Sequence, residues 1–428
     1  ASGYGEGDGS GGGVVTDGGG SGENGTFVMH GGTIASCVSG RMGGGVGNDG
    51  VFIMEDGAIR SCSAIGYGGE EAMGGSIRFS GDVTISGGTI SAPGSTGKQH
   101  IFGRGAFTIS GNAQIDVSMT IEGDLNADGG TVSGAVTSKG AITGSEGAAG
   151  TTTFSGTVRT AGPNAYYEGS TIRNGRFTGA VENNGTITGG TFTGEVTNRE
   201  SGTIKDGTFK KKMENEGTIE GGTFEDTVRS RTRYGAQKAA VIRDGTFNGP
   251  VESYSGIENG VFAGTVESEG TISGGTFKDA VMNKAGSTIR NGRFTKAVGN
   301  EGTITGGIFE GTVGNEGTIT GGAFHGEVTC DGRVDNGSHG PLVGGTVSGG
   351  SFDQTIQVIY GTIIGEAYSD WEKTRRYNWQ KQYVLTYQAD GEAYAWQVLG
   401  EDFFPVMPQG PKKEGRTFLN WFYEDDGE

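Results

Sequence analysis

The sequence predicts an all-β fold: a right-handed parallel β-helix (solenoid) closed by a small C-terminal α+β or β module. Three observations predict it. Glycine supplies 91 of 428 residues, far above the usual share of about 7%, yet it recurs with a period instead of at random. Apolar residues are scarce but sit at fixed spacing, which fits a thin core along an axis better than a round one. The repeating unit in the middle of the chain is 15 residues, too short for a helix pair or a propeller blade.

Between residues 150 and 330 the positions Phe154, Phe177, Phe192, Phe209, Phe224 and onward to Phe324 step by 15, with extra steps of two or eight. From Phe177 an isoleucine stands five residues before each (Ile172 to Ile319), and an apolar residue four after it (Val181 to Val328). The consensus is G-T-I-x-G-G-x-F-x-G-x-V-x-N-x. Such a unit can form one small coil of short strands, in which Thr-Ile-x and x-Phe-x turn the apolar residue inward and its neighbours outward. Glycines take the corners at positive φ. Coils then hydrogen-bond to one another at about 4.8 Å, and Ile, Phe and Val align as columns. Each buried Phe contributes on the order of 1.5–3 kcal/mol. One coil alone would not offset an ordering entropy of about 1–2 kcal/mol per residue, so coils must share faces. A fourth column, two residues after each Val, runs Asn183, Asn198, Asn215, Ser230 and on to Cys330. Small polar groups at a bend can hydrogen-bond along the column as stacked amides do.

Three regions follow. Residues 1–150 form a β-helix with long coils of about 25 or more residues, since Phe27 and Phe52, Ile34 and Ile59, and Ile90 and Ile115 are each 25 apart. Residues 151–352 form a β-helix with 15-residue coils. Residues 353–428 hold all four tryptophans and form an aromatic-rich cap or repeat module, as the open end of a stack of strands requires. Residues 1–22, nearly all small or acidic, read as a cap or a tail. The start at Ala1 reads as an excised or processed piece.

The formal net charge of −18 argues against nucleic acid as a partner. No apolar run reaches the roughly 18 residues of a spanning helix, so no membrane insertion is expected of this fragment. Three cysteines do not make a disulfide scaffold.

Two stretches resemble known families. The G-G-T-I-x-x-C, G-G-G-V and F-x-M-x-x-G-x-I pattern of residues 24–70 resembles the pectate-lyase-like right-handed β-helix repeats of bacterial surface adhesins. The tail reads Tyr383-Val-Leu-Thr-Tyr387, Phe404-Pro-Val-Met-Pro408 and Lys413-Glu-Gly-Arg-Thr-Phe-Leu-Asn-Trp-Phe422. It resembles the Listeria–Bacteroides (internalin B-type) repeat module, with Arg416 in place of the family's aromatic and Asn420 in place of its small residue. The resemblance implies an extracellular address, on a bacterial cell surface or cell wall.

Candidate sites lie where the count breaks. The insertions that lengthen a coil by eight residues lie in Thr160–Glu168, with Tyr166 and Tyr167, and Arg231–Ala239, with Arg231, Arg233, Tyr234 and Lys238, and bulge from a regular scaffold. Function is commonly carried on such loops, and a Tyr/Arg cluster on an acidic protein could hold a sugar or an anionic partner. The plainer alternative is a tolerated insertion with solvated charge. Asp124, Asn126 and Asp128 begin like a calcium loop, although Ala135 stands where a bidentate Glu is needed; an ordinary Asx-Gly turn is the alternative. No cofactor is expected beyond such a weak calcium site. Cys37 and Cys62, one coil apart, read either as small column fillers or as a bridged pair.

Only four histidines, His30, His100, His325 and His339, occur, and carboxylates such as Glu214, Glu252 and Glu267 read as a solvated outer face. The sequence therefore predicts no enzyme but a secreted, non-catalytic stalk or adhesin. It would present a binding surface to a glycan or protein of a host or neighbouring cell. The alternatives are a carbohydrate-active enzyme (polysaccharide lyase or hydrolase) on a β-helix, and a pure structural spacer.

Overall fold

The computed structural model describes residues 12–16, 25–65, 72–93, 100–146, 150–164, 169–331, 345–354, 356–359, 361–364, 374–376, 383–389, 392–399 and 410–411. The chain is all-β, and no helix occurs among these residues. It divides into two compact units, Ala1–Ala240 and Val241–Glu428, each built as a parallel β-helix.

In the first unit three files of short strands stack coil upon coil. One file begins Val14–Thr16, Val46–Asn48, Ile77–Phe79 and pairs in parallel with Val14 opposite Val46 and Val46 opposite Ile77. The same column continues through Ile101, Met119, Val136, Val158, Val181, Val196, Met213 and Val228. The other two files exchange their chemistry along the way. Phe27, Phe52, Val83, Phe107 and Leu125 form one column, and it continues as Ile142, Ile172 and Ile187. Ile34, Ile59, Ile90, Ile115 and Val132 form the other, which continues as Phe154 and Phe177. The aromatic and aliphatic columns therefore change places between Leu125 and Phe154. The interior tolerates this because each position needs bulk and an inward direction more than a given shape.

The register also shortens the long-coil region expected over 1–150. Coils of 25, 31 and 24 residues (Phe27 to Phe52, to Val83, to Phe107) give way to coils of 18 and 17 (to Leu125, to Ile142). The cause is local. After Ile115 only residues 116–118 and 122–124 link the strand Met119–Ile121 to its neighbours, so the large turns are already gone.

The second unit keeps the 15-residue regime. Ile242, Ile257, Ile272 and Ile289 stack in one column, Phe247, Phe262, Phe277 and Phe294 in the next, and Val251, Val266, Val281 and Val298 in the third. The phenyl rings lie nearly parallel, with centroids 4.7 Å apart for Phe262–Phe277 and for Phe277–Phe294. That separation is the backbone strand spacing of about 4.8 Å, so the rings repeat with the coils without strain. Between the Ile and Phe strands the chain turns at a glycine such as Gly260 (φ 132°), where a β-carbon would also meet the Phe262 ring at 3.2 Å. The stack ends in a change of direction. Gly361–Ile364 pairs antiparallel with Glu392–Leu399, which pairs antiparallel with Tyr383–Ala389. Trp396, 1% exposed, lies opposite Ile363 and covers the end of the isoleucine column. Trp371, Trp379 and Trp421 lie outside the described residues.

Beside the apolar columns runs the polar ladder. Thr160 Oγ1 donates to Asn183 Oδ1 at 2.9 Å, Asn183 Nδ2 to Asn198 Oδ1 at 2.8 Å, Asn198 Nδ2 to Asn215 Oδ1 at 2.8 Å, and Asn215 Nδ2 to Ser230 Oγ at 3.0 Å. In the second unit Asn283, Asn300 and Asn315 repeat it at 2.6 and 2.7 Å. Ser253 and Ser268, too short to reach the next rung, donate to their own corner carbonyls at Ser255 and Gly270. In the early coils the column begins with Thr16 donating to Asn48. Phe79 interrupts it, and Gly103 follows because a β-carbon there would lie 2.3 Å from the Phe79 ring.

Each buried amide therefore depends on its neighbours above and below. Replacing Asn198 by Ala removes both rungs it makes, leaving Asn183 Nδ2 only the Gly185 carbonyl at 3.1 Å and Asn215 Oδ1 only the Gly217 N–H at 3.3 Å. Two lost hydrogen bonds at about 0.5–1.5 kcal/mol each amount to about 1–3 kcal/mol. Urea unfolding is expected to show a loss of that size for Asn198→Ala and a smaller one for Asn198→Ser.

Candidate functional site

Both large insertions leave the stack at one corner of the first unit, the residue after the polar ladder. Ala161 follows Thr160, and Arg231 follows Ser230. The first loop is tied at its base, where Ser170 N–H donates to the Ala161 carbonyl and Ser170 Oγ to that of Ser138, at 2.9 and 2.5 Å. Its foot leans over the next coils: a β-carbon on Gly162 would lie 2.8 Å from Ser201 Oγ and 3.1 Å from the Asn184 carbonyl oxygen. Tyr166 and Tyr167 fall outside the described residues.

The second loop, 231–239, is built throughout. Arg231 N–H donates to the Asn215 carbonyl at 2.9 Å, keeping the coil in register as the chain leaves it. At the far end Ala240 N–H donates to Thr232 Oγ1 at 3.1 Å and closes the loop. Glu200, from a two-residue insertion two coils earlier, accepts on Oε1 from the main-chain N–H groups of Gln237 (2.6 Å) and Lys238 (3.0 Å). At the tip Ala236 N–H donates to the Arg233 carbonyl at 3.0 Å, around Gly235 at φ 79°. A left-handed residue at the third place of a four-residue turn is what glycine supplies. The turn pushes Tyr234 outward until it is 104% exposed.

The loop's cations differ in what they face. Arg231 Nε lies 3.7 Å from Glu214 Oε2, and Lys212 Nζ 2.9 Å from Glu214 Oε1. That Oε2 is buried and makes no hydrogen bond, so it meets Arg231 through charge alone. Arg233 and Lys238 are exposed and carry no ion pair among the described residues. The structure thus gathers Arg231, Arg233, Tyr234 and Lys238 on one loop but commits Arg231 to the scaffold. Glu200, which fixes the loop, escaped sequence reasoning. Its signal was the 17-residue step from Phe192 to Phe209, which marks the small insertion carrying it.

The calcium reading is corrected. Asn126 and Asp128 are alternate outward residues of the strand Leu125–Val132, opposite Thr108 and Ser110 of the preceding coil. Asp124 Oδ1 accepts from Ala141 N–H at 2.9 Å. An extended strand spreads these oxygens along its face, whereas a calcium loop must curl to bring them onto one ion. No group of three or more His, Cys, Asp or Glu able to hold a metal occurs among the described residues.

At this corner of the first unit Arg199 faces Glu216 at 3.4 Å and reaches Glu182 at 3.7 Å, which with Arg159 at 3.1 Å lies on the strand just before the ladder. In the second unit the equivalent column stacks Glu301, Glu316 and Asp331 on successive coils, following Asn300, Asn315 and Cys330. Burial first, and then the charges of Glu301 and Asp331, push the Glu316 carboxyl above its ordinary value. A raised folded-state value means that the charged form opposes folding above that value and ceases to do so below the unfolded value. Glu316→Gln is therefore expected to raise the melting midpoint at pH 7, with the gain vanishing as pH falls below about 4.

Hydrogen bonds to a charged acceptor are worth about 1.5–3 kcal/mol. Glu200→Ala should therefore speed amide exchange at Gln237 and Lys238 by roughly tenfold or more, and leave the exchange of Phe224 unchanged. No family model, curated protein or solved structure matches this chain.

Proposed function

We propose that this chain is a non-catalytic extracellular surface protein, a stalk or adhesin of a bacterial cell. Its β-helix presents the loop 231–239 to a glycan or protein of a host or neighbouring cell. One observation carries the reading. Tyr234 is fully solvated on a loop whose conformation is fixed by Glu200, Thr232 and Gly235, not by the ring itself. Stability gains nothing from an aromatic ring held in water, and a preformed aromatic with free cations beside it is what recognition uses. The resemblance of residues 24–70 to adhesin repeats and of the tail to a wall-protein module supports the extracellular address. Long coils of one fold stacked in register suit a spacer that carries such a loop away from its anchor.

A glycan array and a panel of immobilised surface proteins test this. Tyr234→Ala should weaken whatever binding is found by tenfold or more, as loss of an interface anchor does. Arg233→Ala with Lys238→Ala should do the same and reduce the salt dependence. None of these changes should move the melting midpoint. Binding that survives all three removes the loop as the recognition surface.

A further inference from the structure

Cys37 and Cys62 occupy the same place in successive coils. Each follows a serine in the left-handed region, Ser36 at φ 54° and Ser61 at φ 52°. Each precedes a short strand, Val38–Ser39 and Ser63–Ala64, and these pair in parallel with Val38 opposite Ser63. Ser63 N–H donates to the Cys37 carbonyl at 2.9 Å, which sets the two cysteines side by side. In-register neighbours in parallel strands have Cα atoms about 4.8 Å apart, inside the range of about 4.4–6.8 Å that a disulfide spans.

The opposite wall leaves room for sulfur. A β-carbon on Gly13 would lie 3.0 Å from Cys37 Sγ, and one on Gly45 3.3 Å from Cys62 Cβ. Each cysteine is therefore matched by a glycine in the file it faces. One coil further on, Ser76 takes the place of Gly45. Cys62 is fully buried and Cys37 half-buried, and both are free thiols. Burial, and after it the charge of the neighbouring Cys37, raises the Cys62 thiol above its ordinary value. Cys330 is unlike them. It stands in the amide ladder, accepts from Asn315 Nδ2 at 3.8 Å, and burial pushes its thiol to about 12.

We propose that Cys37 and Cys62 are a redox modification site, closing to a disulfide that staples two N-terminal coils when the chain meets a low-molecular-weight disulfide. Cys37, the more accessible sulfur, attacks as thiolate. One sulfur of the external disulfide bonds to it and the other leaves as a thiol. Cys62 then attacks the Cys37 sulfur, and the second external thiol leaves. Two protein thiols give up two electrons and two protons, and the external disulfide takes up both. A covalent link between neighbouring coils restricts their opening.

The test incubates the full chain with glutathione disulfide near pH 8, then denatures and alkylates it for intact-mass and peptide analysis. Of the three cysteines, Cys330 alone should be alkylated, and one peptide pair should be joined through Cys37 and Cys62. Cys62→Ser should stop at a glutathione adduct on Cys37, and Cys37→Ser should leave Cys62 reduced. On oxidation, amide exchange at Ser63 should slow by tenfold or more. The proposal is overturned if wild-type chains still carry three alkylated sulfurs at equilibrium. It is equally overturned if they accumulate the glutathione adduct without closing the ring.

Discussion

Hydrogen bonds between successive backbones hold every column of this protein at one strand spacing, and each side chain must accept that repeat. Phenyl rings accept it because stacked rings separate by nearly the same distance, 4.8 Å between Phe177 and Phe192. Carboxamides accept it because each has a donor and an acceptor, so Asn198 can receive from Asn183 and give to Asn215. A residue foreign to its column ends it or forces its neighbour to change. Phe79 does this in the polar ladder, and Gly103 is the response. Each repeat packs only on its neighbours, so glycine and asparagine recur where the column demands them.

The same constraint decides where the chain can carry extra residues. An insertion within the Ile-to-Phe segment carries the penalty of a slip that turns Phe outward unless it loops out whole, as the long segment between Ile142 and Phe154 leaves both opposite Ile172 and Phe177. The corner after the ladder is free of that penalty, because the backbone has already left the sheet and the next strand has not begun. The loops 161–169, 199–202 and 231–239 all emerge there. Stacking then brings them together: loops far apart in sequence rise from coils only a few strand spacings apart. Glu200 reaches Gln237 and Lys238 across 37 and 38 residues for this reason.

Much of this was legible in the sequence because the period was. The Ile, Phe and Val columns, the ladder from Asn183 to Cys330 and the position of the insertions follow from counting. The exchange of aromatic and aliphatic columns between Leu125 and Phe154 was not legible. Phe27 resembles Phe154 in type, but only the register shows that they belong to different files. The shortening of the coil before residue 150 was hidden for a related reason, since Leu125 and Ile142 replace the Phe that marks a coil elsewhere. Asp124, Asn126 and Asp128 misled because a polar residue at every second place describes both a metal loop and the outer face of a strand. Which one it is depends on whether the chain curls, and the buried Leu125 and Ala127 between them keep it extended. In the loop 231–239 the sequence marked the cations, but not that Glu214 occupies one and Glu200 shapes the rest.

Electrostatics follow from stacking as well. Side chains in one outward column meet at strand spacing, so like charges repel their neighbours on both sides, and a column must alternate in sign or remain partly unfavourable. The first unit alternates within two adjacent columns, Arg159 with Glu182 on the strand and Arg199 with Glu216 at the corner, and Arg199 also reaches Glu182. The second places Lys284 within 3.6 Å of both Glu267 and Glu301, while Glu316 meets the like charges of Glu301 and Asp331. A cation exposed on the first unit's corner therefore stands beside a network whose acids are already engaged. Arg233 and Lys238 are exposed and carry no ion pair among the described residues. This placement leaves their charge available on a chain that is otherwise acidic.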